Sequence, residues 1–177
     1  MKSKQLSIKI VLSLALLAAV LFFVFLYINN DIGIQGSKIE SDILSSQKID
    51  DTWHITGEVS DIMAAYISYP EDLSDHTFSV YVKHPGLSFG YFFRCGGGLG
   101  SVDTSITEFT LDGFNERAFI SMNQRKINRL VLDDGNALQT IEIDSSKPFA
   151  IVLPGNAGVV TFYTEDGNTA EITEYSL

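Results

Sequence analysis

The sequence predicts a mainly β domain, an antiparallel β-sandwich of the immunoglobulin-like kind, set behind one N-terminal transmembrane helix. Three observations predict it. Residues 10–28 read IVLSLALLAAVLFFVFLYI, nineteen residues without a charge. Beyond residue 50 the chain falls into about eleven short apolar or alternating stretches, with turn residues at the roughly 8–12-residue spacing of all-β domains. Gly and Pro breaks among them suggest corners and strands that switch sheets, which favours a sandwich over a barrel.

At 1.5 Å per residue, nineteen helical residues span about 28 Å, close to the roughly 30 Å apolar core of a bilayer. Apart from the terminal Tyr27, only Ser13 in the run is polar, and its hydroxyl can bond a carbonyl one turn back. Tyr27 stands at the outer end, where an amphipathic ring suits the interface. Lys2, Lys4 and Lys9 precede the run, and Asp31, Glu40 and Asp42 follow it. That asymmetry predicts a cytoplasmic N-terminus (1–9), a span (10–28), and residues 30–177 outside. A cleaved signal would have an apolar region of roughly 7–15 residues ending in a small-x-small site. Here the alanines lie mid-run and the end is bulky FFVFLYI, so a retained anchor is expected.

The 177-residue chain keeps about 125–130 residues for a domain over 51–177, enough for one ordinary core. Beyond residue 30, nine Lys and Arg stand against all 22 Asp and Glu, leaving −13. Such a charge opposes nucleic-acid binding and anionic lipid. Cys95 is the single cysteine, so an internal disulfide is impossible, which suits a bacterial envelope better than a eukaryotic secretory route.

In order along the chain, residues 29–50 are polar with scattered Gly and Ser and read as a stalk; Ile39, Ile43 and Leu44 have the spacing of a short helix. Strands are expected over 52–60 and 62–69, ended by Pro70. Residues 76–83 alternate, with Phe78, Val80 and Val82 on one face. After a Pro85-Gly86 turn, 87–95 alternates again through Leu87, Phe89, Tyr91 and Phe93; its aromatic content marks it as a central strand. Gly96–Gly100 should be a flexible turn or bulge, followed by strand. Further strands are expected over 105–111, 116–122, 127–132, 138–144, 149–153, 159–164 and 170–175. Asp134-Gly135-Asn136 and Asp166-Gly167-Asn168 repeat one turn type and predict two hairpins.

The glycine cluster lacks the following helix and Lys-Ser/Thr that a phosphate loop needs. The three histidines show no zinc spacing, and the acidic pairs 50–51, 71–72 and 133–134 lack the pattern of a calcium loop, so no metal or cofactor is expected. Arg117, Arg125, Lys126 and Arg129 place four of the nine cations beyond residue 30 within thirteen residues. Their hairpin tip is the expected binding patch, suited to an envelope protein or an anionic cell-wall polymer.

Arg94-Cys95 is the alternative chemical spot. A thiolate needs a neighbouring cation or imidazole, and Arg94, Arg117, His54, His76 or His84 could supply one. In plan, an N-terminal anchor, an external β domain and one Cys with His and Arg, the chain resembles the sortase transpeptidases. That resemblance implies a cysteine nucleophile, Cys95. Cys95 departs from the family pattern, standing in YFFRC rather than closing T-L-x-T-C, with 82 residues after it. The leading expectation is thus a non-catalytic, membrane-anchored binding module. The alternatives are a cysteine enzyme centred on Cys95 with His84 or His76 as base, or a regulatory subunit of a membrane complex.

Overall fold

The structure, a computed structural model, describes residues 2–86 and 88–177, with side chains from Lys9 onward. Helix α1 covers Lys2–Ile28. Its segment Lys9–Ile28 has a mean hydropathy of 2.9 and is apolar enough to span a membrane. Ser13 donates to the Lys9 carbonyl at 2.9 Å, as expected. The helix stops at Asn30, which takes φ 56°. The Asp31 N–H then bonds the Leu26 carbonyl and the Asn30 N–H bonds the Tyr27 carbonyl, closing the last turn in a Schellman-type cap.

Residues 29–50 do not run as free chain. A short 3-10 turn, Gly36–Lys38, leads into α2, Ile39–Ser46. Glu40 and Asp42 in its first turn complement the helix dipole. Its buried Ile39 and Ile43 pack on Ala64, Tyr66, Tyr81 and Tyr91, and the Tyr81 hydroxyl donates to Asp42 at 2.7 Å. Two fully buried isoleucines stabilise such docking by about 1.5–3 kcal/mol each.

Eleven strands follow: β1 (His54–Val59), β2 (Met63–Tyr69), β3 (Thr77–Val82), β4 (Phe92–Gly97), β5 (Ile106–Thr110), β6 (Glu116–Ser121), β7 (Ile127–Asp133), β8 (Leu138–Glu142), β9 (Phe149–Pro154), β10 (Val159–Thr164) and β11 (Ile172–Ser176). They form three sheets, ordered β1-β2-β3-β4, β11-β5-β6-β9 and β10-β7-β8. All described pairs are antiparallel except β11 with β5. Met63, Ala65, Ile67, Val80 and Val82 of the first sheet share a core with Phe109, Ala118, Ile120 and Val152 of the second. The other face of the second sheet, through Ile106, Phe119 and Leu153, packs on Ile127, Leu130 and Phe162 of the third. The protein is therefore mainly β and largely antiparallel, behind one apolar helix. Its stack has three sheets and a parallel pair.

Two local expectations are corrected. The aromatic stretch 87–95 is not a central strand. Leu87 lies outside the described residues. Phe89 and Tyr91 make only isolated bridges, to Ile32 and Ile34. Gly90 breaks the run at φ +84°, where a Cβ would lie 2.7 Å from the Ile34 carbonyl oxygen. What remains, β4, is an edge strand carrying Gly96 and Gly97, and its Phe93 is 48% exposed. Residues 101–104, expected to be strand after the glycine turn, belong to a five-residue helix, α3 (Gly100–Thr104), whose Val102 enters the first core. Of the two Asp-Gly turns, 134–137 does close a hairpin, β7 to β8. The turn at 166–169 closes a shorter one: Tyr163 bridges Thr169, the Thr164 N–H bonds the Asn168 carbonyl and the Ala170 N–H bonds the Phe162 carbonyl, each at 2.9 Å, before the chain crosses to β5.

A candidate binding surface at the end of the sheets away from the helix

The strand registers sort the loops into two groups. Ile34 bridges Tyr91, next to the start of β4, so the Val82, Phe92 and Met63 end of the first sheet is the end near α1. His54 pairs with Tyr69 and Phe78 with Gly97 at the opposite end. Six strand residues put that end about 20 Å further away. Ser60 reaches Glu116, so the β6 start lies near the helix end and the β6–β7 turn lies away from it. The far end thus gathers the loops at 70–76, 98–104, 123–126, 144–148 and 165–168.

A cleft of about 270 Å³ opens there, lined by His54, Tyr69, Glu71, Leu73, Lys147 and Pro148 among others. His54 Nε2 bonds the Glu71 carboxylate, and the His54 and Tyr69 rings lie 5.6 Å apart. Burial raises the Tyr69 phenol above its ordinary value. Glu71 also borders a shallower depression that adds Trp53, Asp72 and Asp75. Next to the lining residues Ser146 and Lys147, Asp144 is held down to about 2, first by the Ser146 hydroxyl, then by the Ser146 N–H and Lys147. The chemistry is ring faces flanked by carboxylates, with one ammonium: a surface for hydroxyl-rich or cationic groups.

Asn123 joins this cleft to the basic tip. It takes φ 56° at the β6–β7 turn. Its Nδ2 donates to the carbonyls of Ile127, Asp144 and Lys147 at 3.0–3.2 Å, and its Oδ1 accepts from the Ile127 N–H at 2.6 Å. The turn bearing Lys147 is thereby tied to the turn bearing Arg125 and Lys126, both exposed.

The four clustered cations divide. Arg117 is turned inward between the second and third sheets. It bonds Glu108 at 3.2 Å and the Gly158 carbonyl at 2.7 Å, and lies 5.5 Å from the Phe119 ring. Arg129 lies over Tyr163 at 4.7 Å. Only Arg125 and Lys126 present free basic groups at the tip.

Around Cys95 the groups a nucleophile needs are engaged elsewhere. The half-buried thiol packs against the first core, and burial pushes it up to about 11, against the opposing pull of Arg94. The β3–β4 register slips so that Arg94 is the extra residue of a bulge, and it is exposed. His84 stacks on Phe92 at 3.8 Å. His76 is buried, with Nδ1 3.0 Å from Asp103 and Nε2 accepting the Leu99 N–H. The same bond occupies the Leu99 N–H after the glycines. Among the described residues, no group of three His, Cys, Asp or Glu could hold a metal. The acidic pairs are turn formers, since Asp50, Asp72 and Asp134 accept from N–H groups two or three residues on.

Sequence reasoning did not find the cleft. Its residues come from 54, 69–73 and 146–148, and no local spacing connects them. The available signal was the short turn 60–62, which sets His54 opposite Tyr69. No family model, curated protein or solved structure matches the chain.

Proposed function

We propose that this is a single-pass membrane protein with a cytoplasmic N-terminus, whose extracytoplasmic β domain is a non-catalytic binding module of the cell envelope. In this reading, the first two sheets form the sandwich of the domain and the third sheet elaborates it. The lysines ahead of the apolar run and the −13 charge of residues 30–177 support the direction. The observation that carries the binding role is the far end of the sheets, where Asn123 joins the His54–Tyr69–Glu71 cleft to the Arg125–Lys126 tip. An anchor at one end leaves the opposite end the most accessible to an envelope protein or cell-wall polymer. The raised Cys95 thiol and the engaged histidines favour this over a thiol enzyme.

The test is crosslinking and pull-down from native membranes, comparing wild type with Tyr69→Ala, with Arg125→Glu plus Lys126→Glu, and with Cys95→Ala. Loss of captured material in the first two, with Cys95→Ala unchanged, is the expected result. Capture that survives both surface changes and disappears with Cys95→Ala would overturn the reading.

A further inference from the structure

Beyond the far-end surface, the near end carries a second contact. It rests on the reading of α1 as a retained anchor. Leu26 lies in the last turn of the apolar span, yet its exposure is 0%, while Phe25, Tyr27 and Ile28 on either side are open. The span therefore does not stand clear of the rest of the protein at its outer end.

A chain of hydrogen bonds shows what lies beside it. The Asp31 N–H bonds the Leu26 carbonyl at 2.9 Å, and the Asp31 carbonyl accepts from the Phe89 N–H at 2.8 Å. With one residue between those two bonds, the Phe89 backbone lies within about 10 Å of the last helical turn. Gly33 N–H donates back to the Phe89 carbonyl at 2.6 Å and locks the crossing. A Cβ on Gly33 would sit 2.6 Å from the Tyr91 carbonyl oxygen, so the two segments touch backbone to backbone.

The side chains at this crossing are apolar and open. Ile32 is 47% exposed and Phe89 53% exposed, and Tyr27 stands nearby on the helix. Leu138 and Val159 of the third sheet are open too, but Tyr27, Ile32 and Phe89 stand together at the end of the apolar span. The local charge also departs from the rest: no Asp or Glu occurs between Asp75 and Asp103, a stretch that holds Lys83 and Arg94. Aromatic and aliphatic side chains level with the end of a span, with the half-buried Asp31 supplying the carboxylate of the crossing, fit the headgroup–acyl boundary.

We propose that Tyr27, Ile32 and Phe89 form an interfacial belt that seats the β domain directly on the outer leaflet. The 29–34 segment is thus a rigid junction, not a free tether, and the domain presents its far end at a fixed height and orientation.

The experiment uses the full chain reconstituted in phosphatidylcholine vesicles brominated near the headgroup end of the acyl chains. Three single-tryptophan proteins are compared: wild type, with its own Trp53 at the far end; Phe89→Trp with Trp53→Phe; and Leu14→Trp with Trp53→Phe. Ile32→Trp with Trp53→Phe is a second reporter, should Phe89→Trp disturb folding. The Phe89→Trp protein should emit at shorter wavelength and lose about half its intensity to bromine, since interfacial side chains reach the acyl boundary. Leu14→Trp should also be quenched, and wild type should not. Quenching of Leu14→Trp with none at positions 89 and 32 overturns the seat and leaves the anchor standing. A blue-shifted but unquenched Phe89→Trp protein means a protein occupant, such as a second copy, and also overturns it. An unquenched Leu14→Trp protein overturns the anchor reading and this inference with it.

Discussion

Replacing Asn123 by alanine should cost about 3–5 kcal/mol. The side chain makes four hydrogen bonds in a buried site, and only the two Nδ2 hydrogens serve its three carbonyl acceptors. Counting two donor bonds and one acceptor bond at about 1 kcal/mol net each gives about 3 kcal/mol. The Ile127 N–H is left without its partner beside a side chain only 1% exposed, which pushes the cost towards the upper end. The backbone adds about 1–2 kcal/mol, because residue 123 sits at φ 56° and alanine is strained there. Asn123→Gly separates the two causes: it keeps the permissive backbone and loses only the hydrogen bonds, so it should be the milder change. Thermal melts of the full chain in mild detergent, followed by near-ultraviolet circular dichroism, should show Asn123→Ala falling by about 6–20 °C at 2–4 °C per kcal/mol. Because Asn123 also holds the Lys147 turn, partner capture should weaken below the melting point as well. A melting shift under 2 °C for the alanine variant would refute the assignment of Asn123 as the link between the turns.

Three further outcomes follow from the packing. The Cys95 thiol is raised from 9.0 to about 11 by burial, so it stays neutral through the physiological range; iodoacetamide labelling of the folded chain should climb about tenfold per pH unit up to that value, and a plateau beginning below pH 9 would contradict it. Glu108→Ala should cost about 3–5 kcal/mol, because it strands the Arg117 guanidinium, whose side chain is 18% exposed. Glu108→Leu with Arg117→Met should recover most of that in urea unfolding, and a double-mutant coupling near zero would sink the pairing. Ile43→Ala should cost about 2–5 kcal/mol if α2 is docked as seen, whereas a freely moving stalk would tolerate it without a change in melting temperature.

The strands were legible because each is a local pattern. Residues 76–83 alternate, and β3 fills that stretch with Phe78, Val80 and Val82 in the core between the sheets and Tyr81 on the face covered by α2. Asp134-Gly135 marks a hairpin because Gly takes φ +85° there, within a few residues of chain. The misread stretches fail for non-local reasons. Phe89, Tyr91 and Phe93 alternate as a central strand would, but Gly90 is needed at a crossing with Gly33 and Ile34, more than fifty residues earlier in the chain. Ile39 and Ile43 make a weak helix signal alone; Tyr66, Tyr81 and Tyr91 supply the surface that makes α2 stable.

The basic cluster shows where composition stops and geometry begins. Arg117 and Arg125 look equivalent in the sequence, two cations eight residues apart. Strand alternation separates them. On β6, Arg117 shares a face with Phe119 and Ser121, and that face lies against the third sheet. An inward arginine needs a counter-charge, and β5 provides Glu108, one diagonal step from it across the ladder. Arg125 lies past the strand end, in a turn, where no such constraint acts. The same cation type therefore stabilises the interior at one position and is free for recognition at the other. The consequence for function is directional. Charge reversal at Arg117 acts through stability and should affect every property of the domain together. Charge reversal at Arg125 and Lys126 acts on a solvated turn and should change capture of a partner while the melting temperature stays within about 2 °C, as surface substitutions usually do.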